Sequence, residues 1–389
     1  MAASLVSVYD LAEEYVPLYP AESFYAPNCA VRVHVPPEIL GLTMAAYGAR
    51  IARVSEVLLA RVRPGCEVYR WKDQYLLQHG DAFLDEQVLP ELRNHDGIAA
   101  FPAWGQCAAA VEIDCEAVLI ARHGERTWGH WLDELLPKAA VCERWYPGRF
   151  FYVVPDVSLD ERTLFGWRAM ESLYAYGVPP ERIIRIRDDV CYRFSRLHVI
   201  SSIWSDMMMH PRVAHLMREV RIAEANNGAP VPGDKFALLR GDNRRRGIAN
   251  HAPLRSLLRD AGFTRVDIGF LPFAAQVRLF RQARTIFSVL GSSLAGLVYS
   301  TPSSHVLAVA PEMFSDRFFY ALMQLSFLRY AEIKGPVAGE DPHLYRDSSF
   351  TVPVETVARV LAEFGVFSDP VPERGSARDS GSMRVGPPA

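Results

Sequence analysis

The chain has 389 residues, half of them hydrophobic, and its 42 Lys and Arg against 45 Asp and Glu leave a formal charge of −3. That length is enough for two cores rather than one, and the near-neutral balance excludes a general attraction to nucleic acid or to anionic membrane. Six cysteines (Cys29, Cys66, Cys107, Cys115, Cys142 and Cys191) with no CxxC pair exclude a zinc ribbon and read as reduced thiols of a cytoplasmic protein.

The first residues lack the basic region and long apolar core of a secretory signal. The longest nearly uncharged apolar run, residues 286–301, is shorter than the roughly 20 residues that span a bilayer, so at most peripheral membrane contact is expected. Lysine occurs only at Lys72, Lys138, Lys235 and Lys334 while arginine is abundant, a bias that points to a GC-rich bacterial genome.

Residues 1–110 mix Pro-rich stretches with period-two segments at 54–62 and 66–71, an irregular β-rich opening. Over residues 111–225, short apolar runs at 150–154, 182–186 and 197–200 alternate with helical segments at 129–144 and 159–176, which predicts βαβ units and a parallel sheet. Gly, Pro and Asn crowd residues 226–234 and mark a domain boundary. Beyond it, strands at 236–239, 265–268, 285–290 and 305–309 alternate with helices at 252–261 and 273–282, a second doubly wound domain reaching residue 368. The tail, 369–389, is almost free of apolar residues and is expected to be disordered. The fold class is therefore α/β, with two Rossmann-like domains facing a cleft behind a β-rich N-terminal segment.

Three constellations carry chemistry. Arg240 ends a strand, with Arg246 and Asn250 six and ten residues on; ligands of open α/β sheets sit beyond such strand ends, and the arginine fork matches phosphate oxygens. A solvated basic loop is the bland alternative. Gly291, Ser292 and Ser293 join a strand to a helix, where backbone N–H groups and the helix dipole favour an anion; alone, the stretch is equally a capped turn. Ala295 breaks the Gly-x-Ser-x-Gly elbow of a serine hydrolase. Finally, His130, Asp133 and Glu134 share one face of a helix if it begins near Trp128, so an acid there can orient the ring as a general base. A helix-stabilising pair is the plainer reading, and no third ligand at telling spacing supports a metal.

In this order the motifs resemble glycosyltransferase family 61, which includes plant xylosyltransferases, animal N-acetylglucosaminyltransferases and bacterial capsule-type enzymes. The likeness covers residues 54–361. The family's His-Trp-x-x-acid-x-x-Pro pattern is similar to His130, Trp131, Glu134 and Pro137, its Arg-x5-Arg-x3-Asn pattern to Arg240, Arg246 and Asn250, and its glutamine before the third C-terminal strand to Gln276. Its glycine-rich turn resembles the stretch Gly291 to Gly296. His251 replaces the acid that usually follows the asparagine, and Leu290, Gly296 and Ala308 stand where many members have His, Asn and Glu.

The resemblance implies a GT-B architecture, inversion at the anomeric carbon and a donor that is a UDP-sugar. No cofactor is required, a divalent cation being the alternative. Partners are the nucleotide-sugar donor and a glycan or glycoconjugate acceptor, with no nucleic acid, in bacterial surface polysaccharide synthesis. His130 is the expected base, oriented by Glu134 or Asp133. Arg240, Arg246, Asn250, Gln276, Gly291, Ser292 and Ser293 would meet the departing diphosphate. Two competitors are a non-catalytic nucleotide-sugar-binding descendant and, more distantly, a nucleic-acid protein using residues 244–246.

Overall fold

The computed structural model describes residues 4–34, 48–71, 74–85, 93, 110–122, 124, 126–222, 233–239, 245–312, 314, 316–339 and 347–366. Arg240 and the tail 369–389 lie outside these residues.

The chain is α/β, with parallel strands in each of its two large sheets. In the first, Ile183–Ile186, Phe151–Pro155, Val111–Leu119 and Tyr192–Ile200 lie side by side and parallel. Tyr192–Ile200 then pairs antiparallel with Val57–Val62 and Cys66–Trp71. Strands from the first 110 residues thus continue the parallel sheet.

The second sheet is parallel throughout, in the order Thr264–Arg265, Lys235–Leu238, Thr285–Val289, His305–Pro311, Arg329–Gly335 and Ala30–His34. Taken along the chain from Lys235 its first five strands read 2-1-3-4-5, so the winding reverses between Lys235–Leu238 and Thr285–Val289. A crevice opens beyond the carboxyl ends of strands at such a reversal. Every residue of Thr285–Val289 is buried, as a strand covered on both faces requires.

One face of this sheet packs against helices His251–Asp260 and Val354–Glu363 through Leu254, Leu258, Val357 and Val360. The other packs against Phe273–Gln282 and Phe318–Ser326 in a core that also contains Trp131, Leu132 and Leu135 of the first half. The two halves therefore share one apolar interior. Among the described residues no helix is long and apolar enough to cross a membrane.

Local signals explain the helix boundaries. The expected helix at 159–176 begins later, at Leu164, because the Thr163 hydroxyl accepts from the Gly166 amide at 3.0 Å and caps it. Helix His251–Asp260 closes with Gly262 at φ +80° and its amide on the Arg259 carbonyl at 2.9 Å.

Candidate active site

The segment expected as one helix from 129 to 144 is three pieces: a turn at Trp128–His130, a π-helical turn at Trp131–Leu135, and an α-helix at Leu136–Trp145. Pro137 supplies the reason. It has no N–H to give the preceding turn, and the Asp133 carbonyl instead accepts from the Trp204 indole at 2.7 Å. Such π turns recur at functional sites.

The turn separates the two acids. Glu134 Oε1 lies 2.7 Å from His130 Nδ1, and its other oxygen pairs with Arg122. A carboxylate held by a guanidinium is an acceptor, so Nδ1 carries the ring proton and Nε2 is the ring nitrogen that can accept one. Room for the ring comes from Gly124, at φ +78°, where a β carbon would sit 2.5 Å from His130 Cδ2. Asp133 points the other way. It is fully buried, neither carboxyl oxygen has a hydrogen-bond partner among the described residues, and burial, with the Glu134 charge second, holds its carboxyl well above the usual range. The structure brings Glu134 to His130 and does not bring Asp133.

At the reversal point Gly291 adopts φ 155°, ψ −175°, a backbone region that only glycine occupies readily. The helix expected after the turn is a 3-10 helix, Ser292–Tyr299. Ser292 and Ser293 precede its first internal bond, from the Leu294 amide to the Gly291 carbonyl at 2.8 Å, so their N–H groups are not used within the helix. Gly296 is required by packing: a β carbon there would fall 2.0 Å from the Phe280 ring. Leu290 and Ala308 are buried apolar residues, and the strand register sets Glu332 beside Ala308.

The two turns meet. A β carbon on Gly129 would be 3.7 Å from Ser292, an ordinary van der Waals distance, so the His130 turn packs directly onto the glycine-rich one. Two cavities flank this contact, and Ser292 lines both. One, of about 330 Å³, is mostly apolar, with Trp128, Phe165, Leu239, Asp267, Gln276 and Ser293 among its walls. The other, of about 500 Å³, is more polar and is lined by His130, Arg245, Arg246, Gly291, Asp316 and Asp347 among others.

The remaining expected residues divide. Arg246 lines the polar cavity, with its guanidinium 4.5 Å above the Phe314 ring and Nε 3.7 Å from Asp347. Gln276 borders the apolar cavity, but its amide nitrogen donates to the Ile268 and Leu271 carbonyls at 3.1 and 3.0 Å, latching the loop that forms one wall. Asn250 reaches neither cavity wall. Its amide pairs with the Val352 backbone, donating at 2.7 Å and accepting at 2.8 Å, as a strand neighbour would. Arg240 falls outside the described residues.

Sequence reasoning missed Arg122, Trp128, Asp267, Asp316 and Asp347. A signal existed for Asp267, which follows the second strand of the doubly wound sheet, the place where nucleotide-binding folds set an acid against a ribose hydroxyl. The others lie on turns with no local pattern. Among the described residues, no group of three or more His, Cys, Asp and Glu converges as a metal would need.

The family model described as Glycosyltransferase 61 matches residues 128–307. The match spans both the His130 turn and the Gly291 turn. A search of the curated proteins finds no match to this chain.

Proposed function

Because the chain carries a glycosyltransferase family 61 domain over residues 128–307 and is a glycosyltransferase, we propose that it transfers a sugar, with inversion, from a UDP-sugar to a hydroxyl of a glycan or glycoconjugate. In this reading the architecture is GT-B, residues 111–225 bind the acceptor, residues 226–368 bind the donor, and the product belongs to a bacterial surface polysaccharide made in the cytoplasm.

The observation that carries this reading is the approach of the Gly129 turn to Ser292, which sets His130 in the wall of the polar cavity and Trp128, two residues before it, in the wall of the apolar one. His130 Nε2 takes the acceptor proton as the oxygen attacks the anomeric carbon. The bond from that carbon to the diphosphate breaks, and the diphosphate leaves with the electron pair. Arg246 and the Ser292 and Ser293 amides, fixed before reaction, meet the developing charge, and Arg240, which lies outside the described residues, is assigned the same role. With these donors in place no metal is required. Glu134 keeps the ring in the tautomer that can accept.

A thermal-shift titration tests the donor assignment. UDP, UDP-xylose and UDP-N-acetylglucosamine should raise the melting temperature, since a ligand at 100 times its Kd stabilises the native state by about 2.7 kcal/mol. If none of them shifts the transition, the assignment of the two cavities to a nucleotide sugar is wrong.

A further inference from the structure

We infer that Phe314 is a positioning residue for Arg246, held in place by the buried pair Glu332–Lys334; this rests on reading Arg246 as a ligand of the leaving diphosphate. Arg246 is unusual in two ways. Its backbone is left-handed, at φ +61°, a conformation uncommon outside glycine, and its side chain is only 12% exposed although it borders an open cavity. The backbone is fixed because the Arg246 amide donates to the Asp347 carbonyl at 2.8 Å. The side chain is fixed because its guanidinium lies 4.5 Å from the centroid of Phe314, a ring 1% exposed. A long arginine otherwise has many rotamers to lose on binding, so a face to lie on orders it before the donor arrives.

What holds Phe314 is unexpected in an apolar sheet. Tyr330, Glu332 and Lys334 alternate along Arg329–Gly335 and therefore share one face. Lys334 donates to the Phe314 carbonyl and pairs with Glu332, whose second oxygen accepts from the Tyr330 hydroxyl. The Glu332 and Lys334 side chains are each 2% exposed. Replacing such a pair with apolar groups often leaves stability unchanged or improved, so core packing does not account for it. Its geometric effect is to anchor the Phe314 carbonyl, with Lys334 Nζ also 5.7 Å from the ring centroid, while the same ring carries Arg246.

The test is a double-mutant cycle on the full chain, read as UDP release from UDP-N-acetylglucosamine with water as acceptor, alongside melting temperatures. Phe314→Met keeps the volume and removes the aromatic face. It should lower kcat/KM about 3- to 30-fold, the worth of a partly desolvated cation–π contact, while Phe314→Tyr restores the rate. In the Arg246→Ala background Phe314→Met should cost nothing further. An equal loss in that background, or a Phe314→Met rate within about 2-fold of wild type, overturns the inference, because a merely structural ring acts whether or not Arg246 is present. Should Phe314→Met fail to fold, Phe314→Leu in the same cycle gives the same reading. If wild type shows neither UDP binding nor UDP release, the donor assignment has failed; if wild type does both and the cycle is additive, only the role of Phe314 has.

Discussion

Exchanging Glu134 for Gln isolates the job given to that carboxylate. Its two oxygens serve His130 Nδ1, at 2.7 Å, and Arg122. A glutamine has one oxygen and one NH2 group, and Arg122 has only donors, so the amide oxygen must turn to Arg122 and the NH2 group to His130. Nδ1 then becomes an acceptor and the ring proton moves to Nε2, the nitrogen that should receive the acceptor's proton. General-base catalysis is worth about 10²–10⁴ in rate, or about 3–5 kcal/mol, and Glu134→Gln should lose most of it. Glu134 lines neither cavity, so affinity for UDP should stay within about 2-fold. UDP release from UDP-N-acetylglucosamine measures the first quantity and calorimetric titration with UDP the second. Hydrolysis within about 3-fold of wild type would put the base elsewhere, and a fall in UDP affinity matching the fall in rate would move Glu134 into the nucleotide site.

Asp133 should act through stability instead. Its carboxyl is raised in the folded state, so the native chain keeps a proton that the unfolded chain releases above about pH 4; stability therefore falls as pH climbs from there through the folded value, by up to about 1.4 kcal/mol per unit. Asp133→Asn should flatten that slope in melting temperatures taken from pH 5 to 8, and parallel curves would show that Asp133 holds no such proton. Asn250→Ala removes two hydrogen bonds to Val352 and should cost about 1–3 kcal/mol in urea unfolding with UDP affinity unchanged; a selective loss of UDP binding would restore Asn250 to the ligand set. Gly296→Asn introduces the residue common in family 61, yet its β carbon would meet Phe280. It should destabilise by about 1–3 kcal/mol, relieved by Phe280→Ala, and a melting temperature equal to wild type would mean the ring is free to move.

How much of this was legible depended on whether a signal was local. Alternating strands and helices after residue 111 follow from hydrophobic period, and the Gly291 turn from a glycine between a strand and a helix. Pairing between distant segments carries no such mark: nothing in Val57–Val62 announces Tyr192–Ile200 as its neighbour, nor does Ala30–His34 announce that it will close the far edge of the second sheet. Spacing misdirected twice. Asp133 and Glu134 share an ideal helix face with His130, and only the π turn and the apolar interior separate them. The Arg-x5-Arg-x3-Asn pattern suggests three ligands, but residues 350–352 run extended beside the loop, joined through the bridge from Ile248 to Phe350, and they take up the Asn250 amide.

The His-Trp-x-x-acid-x-x-Pro pattern is best understood as one device in which each position has a separate physical task. Trp131 is fully buried and its indole donates to Ser172 at 2.9 Å, which roots the turn in the helix Leu164–Ala175. Pro137, six residues on, withholds a hydrogen bond, and the carbonyl it frees at Asp133 is taken by Trp204. Trp204 in turn stacks on Phe318, with ring centroids 4.6 Å apart, and Phe318 is itself a wall of the polar cavity. The turn bearing His130 is thus tied on one side to the first half of the chain and on the other to the chamber where the donor sugar would lie. Glu134 can then hold the imidazole against a frame that does not depend on Glu134 itself, which is why its exchange for Gln should change the ring's tautomer without moving the ring.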